Sequence, residues 1–226
     1  MVKVIYEDAD VIVVKKPAGI ESQSSRGFEP DMVSEMKNYL RVFAKTGGVP
    51  YVGVIHRLDK PVSGLLVYAK TPQAAKSLSA QIQNGTIKKQ YRAVLCGKPE
   101  KMVDKYVDYL LKDGKNNLSK IVDKGVKDAK RAELSYHVLE TIEREEEWFS
   151  LVEIELVTGR HHQIRVQFSG HGMPLFGDIK YGGKGKGLAL SACQLSFVHP
   201  KTKKTMVFQE KPEGPGFQMF TTQSFS

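Results

Sequence analysis

Cysteine and tryptophan are scarce in this chain, which holds two cysteines and one tryptophan in 226 residues. Cys96 and Cys193 stand apart, with no Cys-x-x-Cys spacing, which argues against a disulfide framework or a thiolate zinc site and suits buried thiols in a reducing compartment. Long apolar runs are missing too. The opening MVKVIYEDADVIVVKKPAG breaks each apolar stretch with charge and offers no small-residue cleavage signal. Neither a secretory leader nor a membrane span is expected, and the protein is expected to be soluble and cytoplasmic. Acidic residues are in the minority, 25 against 34 lysines and arginines, for a formal net charge of +9. That excess suggests a polyanionic partner, because Lys and Arg contacts to phosphate drive nucleic-acid affinity, although a basic balance also serves solubility. No internal repeat is visible. With 41% hydrophobic residues the chain can bury a sizeable core, and a single domain over 1–226 is expected.

The densest chemistry lies in residues 53–70, GVIHRLDKPVSGLLVYAK. Apolar runs at 52–55 and 65–68 flank a polar turn holding His56, Arg57, Asp59 and Lys60, closed by Pro61, Ser63 and Gly64; rigid strands present charged side chains in this way. Basic neighbours favour the charged form of an acid placed between Arg57 and Lys60, which suits a nucleophile or base better than a proton donor. For the tripeptide Arg-Leu-Asp alone, a plain strand-turn-strand corner in which Asp59 merely pairs with a basic neighbour is the commoner reading.

The longer pattern HRLDKPVSGLLVYAK closely resembles the central motif of the RluA family of pseudouridine synthases, in which His-Arg-Leu-Asp is followed by a short turn, Ser-Gly-Leu-Leu and Ala-Lys. The resemblance implies that Asp59 is the catalytic aspartate. Val62 stands where many relatives carry Thr. Further segments match in order. Residues 7–19 resemble the family's opening, an acidic turn, an apolar strand and a Lys-Pro-x-Gly loop. Lys89, Tyr91, Ala93 and Gly97 fit a Lys-x-Tyr-x-Ala-x-x-x-Gly strand, which carries the active-site tyrosine onto Tyr91, where a ring can stack on uracil. Thr158, Gly159, Arg160, His162, Gln163, Ile164 and Arg165 match Thr-Gly-Arg-x-His-Gln-Ile-Arg. By resemblance Arg165 is the basic residue that pairs with the catalytic aspartate, its two-pronged guanidinium fixing the carboxylate. Gln167 replaces a His common in the family. Pro174, Gly177, Asp178, Tyr181 and Gly182 complete a Pro-x-x-Gly-Asp-x-x-Tyr-Gly segment.

Elsewhere the pattern gives elements without chemistry. Strands are predicted at 2–6 and 11–15, and a helix capped by Asp31 carries Met32, Met36, Leu40 and Phe43 on one face until Gly47-Gly48. Thr71-Pro72 caps a second helix whose face is Ala74, Ala75, Leu78 and Ile82, ended by Asn84-Gly85. A strand is predicted over 87–97, a hairpin turn at 113–117, a strand over 129–139, an exposed acidic link at 140–147 and an alternating strand at 148–156. The glycines of 182–187 lack the Gly-Lys-Ser/Thr ending of a phosphate loop and are predicted to form a basic loop beside RNA. A terminal hairpin over 188–208 precedes an irregular tail.

The resemblance implies the pseudouridine synthase fold, an α/β domain of α+β type on a long, bent, mainly antiparallel mixed sheet flanked by helices and loops. It implies isomerisation of chosen uridines in structured ribosomal or transfer RNA, without cofactor or metal, by a monomer. The small RNA-binding domain that precedes the catalytic domain in some relatives is not expected. The target uridine has to leave its stack, which costs a few kcal/mol, and Arg57 is the candidate to fill the gap. His56, Arg57, Arg160, His162 and Gln163 are the expected substrate contacts beside Asp59, Tyr91 and Arg165. Two other classes are a nucleoside-bond hydrolase, which lacks an evident second carboxylate, and a catalytically silent basic RNA-binding module.

Overall fold

The structure, a computed structural model, describes residues 2–24, 30–43 and 48–221. Their elements run β1 (Lys3–Glu7), β2 (Val11–Lys16), α1 (Met32–Phe43), β3 (Gly53–Val54), β4 (Ser63–Ala69), α2 (Pro72–Gln83), β5 (Lys88–Cys96), β6 (Val103–Asp113), β7 (Leu118–Val122), β8 (Lys130–Arg144), β9 (Glu147–Leu156), α3 (Gln163–Gly170), β10 (Leu190–Val198) and β11 (Thr205–Gln209). The fold is mixed α/β, and its chain forms two compact units: Met1–Lys89 with Ala192–Glu210, and Gln90–Ser191 with Lys211–Ser226.

In the first unit the strand order is β1-β2-β4-β10, with β3 on β4 and β11 on β10. β2 is buried at every position, the pattern of a strand covered on both faces. Val11, Val13, Leu65, Val67, Leu195 and Phe197 share one core with Ala74 and Leu78 of α2. The caps are those predicted: Thr71 accepts the Ala74 N–H at 3.1 Å and Asp31 accepts that of Ser34 at 2.7 Å. Met32, Met36 and Leu40 are buried as expected, whereas Ile82 lies exposed near the end of α2. Residues 25–29 and 44–47, including Gly47 of the predicted stop, lie outside the described residues.

In the second unit the order is β5-β9-β8-β6-β7 with antiparallel ladders throughout. The predicted acidic link at 140–147 is instead the end of β8 and a tight turn into β9. Glu140 to Arg144 continue the ladder opposite Leu151 to Glu147, and only Glu145 and Glu146 leave it, both with positive φ, 51° and 63°. A two-residue turn with both centres left-handed matches strand twist, so the hairpin tightens despite its charge. Beyond β11 the described chain is irregular, as predicted, apart from one 3-10 turn at Phe217–Met219, but it is packed down: Phe217 and Phe220 are buried against Val94, Phe149 and Leu151.

Candidate active site

Asp59 sits in the turn between β3 and β4, and the first unit straps that turn from several sides. Along residues 56–59 the chain alternates, His56 and Leu58 buried, Arg57 exposed and Asp59 half-buried. The Ser22 hydroxyl both donates to the Leu58 carbonyl and accepts the Leu58 N–H, each at 2.9 Å, standing in for an absent strand partner. Tyr68, fully buried on β4, donates to the Ser22 carbonyl at 3.1 Å. Gly19 N–H reaches the Lys60 carbonyl at 2.8 Å, and Val62 N–H closes the turn onto the Asp59 carbonyl at 3.0 Å.

Beneath the turn lies Lys16, with no solvent exposure. Its ammonium donates to the carbonyls of Pro17, Ile20 and Lys60 at 2.9, 2.6 and 3.1 Å, so three donors meet three acceptors. Burial lowers its pKa to about 8, opposed by the negative charge of Asp59. A cation is thus held under the aspartate turn by backbone alone. The fully buried run 11–16 ending in a lysine was the available signal, since a buried ammonium needs partners; Lys16 and Ser22 were given no role from the sequence.

His56 accepts the Val67 N–H through Nε2 at 3.3 Å. Burial and then Lys89 depress its pKa well below the usual range, so the ring is neutral. The proton resides on Nδ1, which is buried and has no hydrogen-bond partner among the described residues. A buried donor left so costs about 1–3 kcal/mol.

Gly64 follows the turn with φ of +124°, and a Cβ there would lie 2.4 Å from the backbone N and O of Ala192. The Ser-Gly of the motif is therefore a close backbone approach between β4 and β10. Nearby, Asp8, Asp10 and His199 offer grouped ligand atoms. His199 Nδ1 accepts the N–H groups of Lys201 and Thr202, so Nε2 holds the proton and donates it to Asp8 at 2.7 Å. The Asp8–His199 bond ties the first turn to the last hairpin.

The remaining candidates belong to the second unit. Tyr91 is buried on β5, opposite Ile154 of β9. Arg165, on α3 and 5% exposed, donates from Nε and Nη2 to the two carboxylate oxygens of Asp178, both at 2.7 Å. Its guanidinium lies 5.1 Å from the Tyr181 ring centre. Gly177, at φ +75°, has no room for a Cβ, which would overlap the Gly187 carbonyl. The Pro-x-x-Gly-Asp segment thereby delivers Asp178 to Arg165, a partnership the sequence showed only as a motif.

The turn before α3 is internally bonded. Gln163 accepts the Thr158 hydroxyl and the Arg160 N–H through Oε1 at 2.8 and 2.9 Å, and donates to the Glu133 carbonyl at 3.0 Å. His162, the left-handed residue before the helix, meets the Tyr181 hydroxyl through Nδ1 at 2.8 Å. That hydroxyl also accepts the Ser119 N–H, and burial first and Arg165 next lower the His162 pKa to about 3, so the ring is neutral. Gln163 thus braces the turn and His162 ties it to Tyr181, while Arg160 is exposed.

Residues 10–170 match the family model described as RNA pseudouridylate synthase. The chain belongs to the RNA pseudouridylate synthase family. The synthase is 36% identical over 214 residues to the RNA pseudouridine synthase YlyB of Bacillus subtilis, with 91% of this chain and 67% of that one covered. It is 33% identical over 226 residues to the ribosomal large subunit pseudouridine synthase D of Zymomonas mobilis, covering 93% and 69%. Among solved structures, human RNA pseudouridylate synthase domain containing 1 superposes with a TM-score of 0.75 at 22% identity, over 94% of this chain and 84% of that one. Human RNA pseudouridylate synthase domain containing 4 gives 0.77 at 19%, over 93% and 88%. These bear out the RluA-type recognition and the pseudouridine synthase fold. No helix among the described residues of the synthase is long and apolar enough to cross a membrane.

Proposed function

We propose that this RNA pseudouridine synthase modifies uridines in ribosomal RNA with Asp59 as its catalytic carboxylate. The observation that carries the assignment is the strapped turn: Ser22, Gly19 and Lys16 bond the backbone on either side of Asp59, so a motif acid sits on a scaffold with little freedom to move, as a preorganised reacting group requires. The relatives named as ribosomal large subunit enzymes support ribosomal over transfer RNA.

In the reaction the N1–C1′ bond of uridine breaks, the base turns, C5 bonds to C1′, and the C5 proton leaves while N1 gains one. The product is an isomer, and no oxidant or co-substrate is consumed. The carboxylate of Asp59 acts on the nucleotide whose glycosidic bond is cut, Tyr91 stacks on the uracil, and Arg165, its plane set by Asp178, orients the reacting carboxylate. Exposed Arg57, between two buried residues, fills the space of the extruded base, and the Nδ1–H of His56, without a partner among the described residues, is a donor for the bound nucleotide. Arg160 meets the RNA backbone.

Asp59→Asn tests the assignment. Chemical mapping of pseudouridine in ribosomal RNA from a deletion strain, re-expressing either form, should show a site restored by the wild type and absent with the variant, while RNA binding persists. Modification by the variant would refute the role of Asp59; a site found only in transfer RNA would refute the substrate class; release of free uracil would mark a hydrolase.

A further inference from the structure

The face of the second unit's sheet that carries α3 changes character along its length. Under the helix it is apolar, with Leu110, Ala132 and Val166 packed together and Ile121 and Tyr181 beside them. Beyond the helix start it turns basic. Lys112 on β6 is opposite Ser119 of β7, and Lys130 on β8 is opposite Leu110, two residues from Lys112. Side chains two apart on a strand, and those opposite them, share one face, so both lysines stand on the Leu110 side. Their diagonal relation places them roughly 7 Å apart at the backbone. Neither has an ion-pair partner among the described residues.

These lysines line a recess of about 200 Å³ together with Ser119, Arg160, His161 and one acid, Asp128. Since a water molecule takes about 30 Å³ of liquid, the space admits a phosphate group with several waters. Two walls are fixed. Arg160 donates from Nε to the Arg131 carbonyl at 2.9 Å, and its backbone N–H is held by Gln163. His161 is pinned by Ser119 at 2.9 Å and Asn117 at 3.0 Å. Three cations against one carboxylate leave a surplus of positive charge in a concave site, and like charges on adjacent strands weaken a sheet unless an anion joins them.

We propose that this recess is a phosphate-binding subsite, holding a phosphodiester of the RNA through Lys112, Lys130 and Arg160. It rests on the reading above that the substrate is structured RNA, and it assigns the β6–β8 face, rather than the glycine-rich 182–187 loop, as the anchoring surface. Phosphate contacts position a nucleic acid without reading its bases; this subsite sets register and affinity and leaves the choice of uridine to other groups.

The test uses the full-length protein and a large-subunit ribosomal RNA transcript, with the dissociation constant measured across a potassium chloride series. Each phosphate-contacting lysine contributes about one unit to the slope of log K against log salt. Lys112→Ala/Lys130→Ala should therefore lower the slope by about two and weaken binding at least tenfold at low salt, with no fall in thermal stability. Lys112→Arg/Lys130→Arg should keep wild-type values. Lys201→Ala/Lys204→Ala, exposed on the other unit, is the control. An unchanged slope in the Ala double variant, or an equal fall in the control, overturns the subsite. Pseudouridine formation by the wild type is read separately: its absence with the slope difference intact refutes the catalytic reading and leaves an RNA-binding recess.

Discussion

Removing one half of the Arg165–Asp178 pair should be among the most damaging small changes the second unit can suffer. Asp178→Asn keeps shape and volume but withdraws the charge facing a guanidinium that is 5% exposed, from a site that is itself 2% exposed. Two hydrogen bonds of 2.7 Å become at best one, and the arginine is left charged in a dry site. Breaking a buried pair in this way costs about 3–5 kcal/mol, whereas replacing both partners by apolar groups is often near neutral. At about 2–4 °C per kcal/mol for a chain of this size, Tm should fall by roughly 6–20 °C. Trp148, the only tryptophan of the chain, lies in the same unit as the pair, so its fluorescence during urea unfolding follows the affected unit. Arg165→Met/Asp178→Leu should be less destabilised than the sum of its single changes, by about 2 kcal/mol or more. A loss below about 1 kcal/mol in Asp178→Asn, or strict additivity in the cycle, would refute the reasoning.

Other outcomes follow from the first unit. Gly64→Ala places a methyl group 2.4 Å from the Ala192 backbone at φ +124°; it should cost at least about 3 kcal/mol, visible as loss of soluble protein or a lowered urea midpoint. Lys16 has a pKa of about 8, below its ordinary 10.5. Below pH 8 both folded and unfolded chains hold the proton and the full burial cost is present. Between 8 and 10.5 only the unfolded chain holds it, so stability from this group rises with pH, by about 2 kcal/mol from pH 7.5 to 9.5. Urea unfolding at the two values should show that rise in the wild type and lose it in Lys16→Met.

Much of this was legible because it is local. Thr71-Pro72 and Asn84-Gly85 bracket α2, and His-Arg-Leu-Asp through Ala-Lys marks the turn that holds Asp59, because caps and motifs act over a few residues. What escaped depends on distant partners. Glu140 and Glu143 read as solvated charge, yet they pair with Leu151 and Trp148 of β9. Phe217 and Phe220 carry no periodicity, and only the core beside Val94 explains their burial. Lys16, Ser22 and Asp178 were visible as letters of motifs, but their work is to bond backbone or a guanidinium far off in sequence, which no spacing rule reports. Among the expected contacts, Gln163 spends its polar atoms on the turn before α3, while His162 reaches the Tyr181 hydroxyl.

The unit that holds Asp59 is written in two pieces, Met1–Lys89 and Ala192–Glu210, and the second piece brings Leu195 and Phe197 to its core. Gln81 seals the join by bonding both backbone groups of Val198, at 2.7 and 2.8 Å. During synthesis the Asp59 turn therefore emerges long before its supporting sheet can close. Some hundred residues of the other unit must be made first, and contacts of such separation form slowly and expose unpaired strands while they wait. Catalytic competence is a late event in the life of the nascent chain, and truncation before residue 210 should abolish it even though every motif residue has already been made.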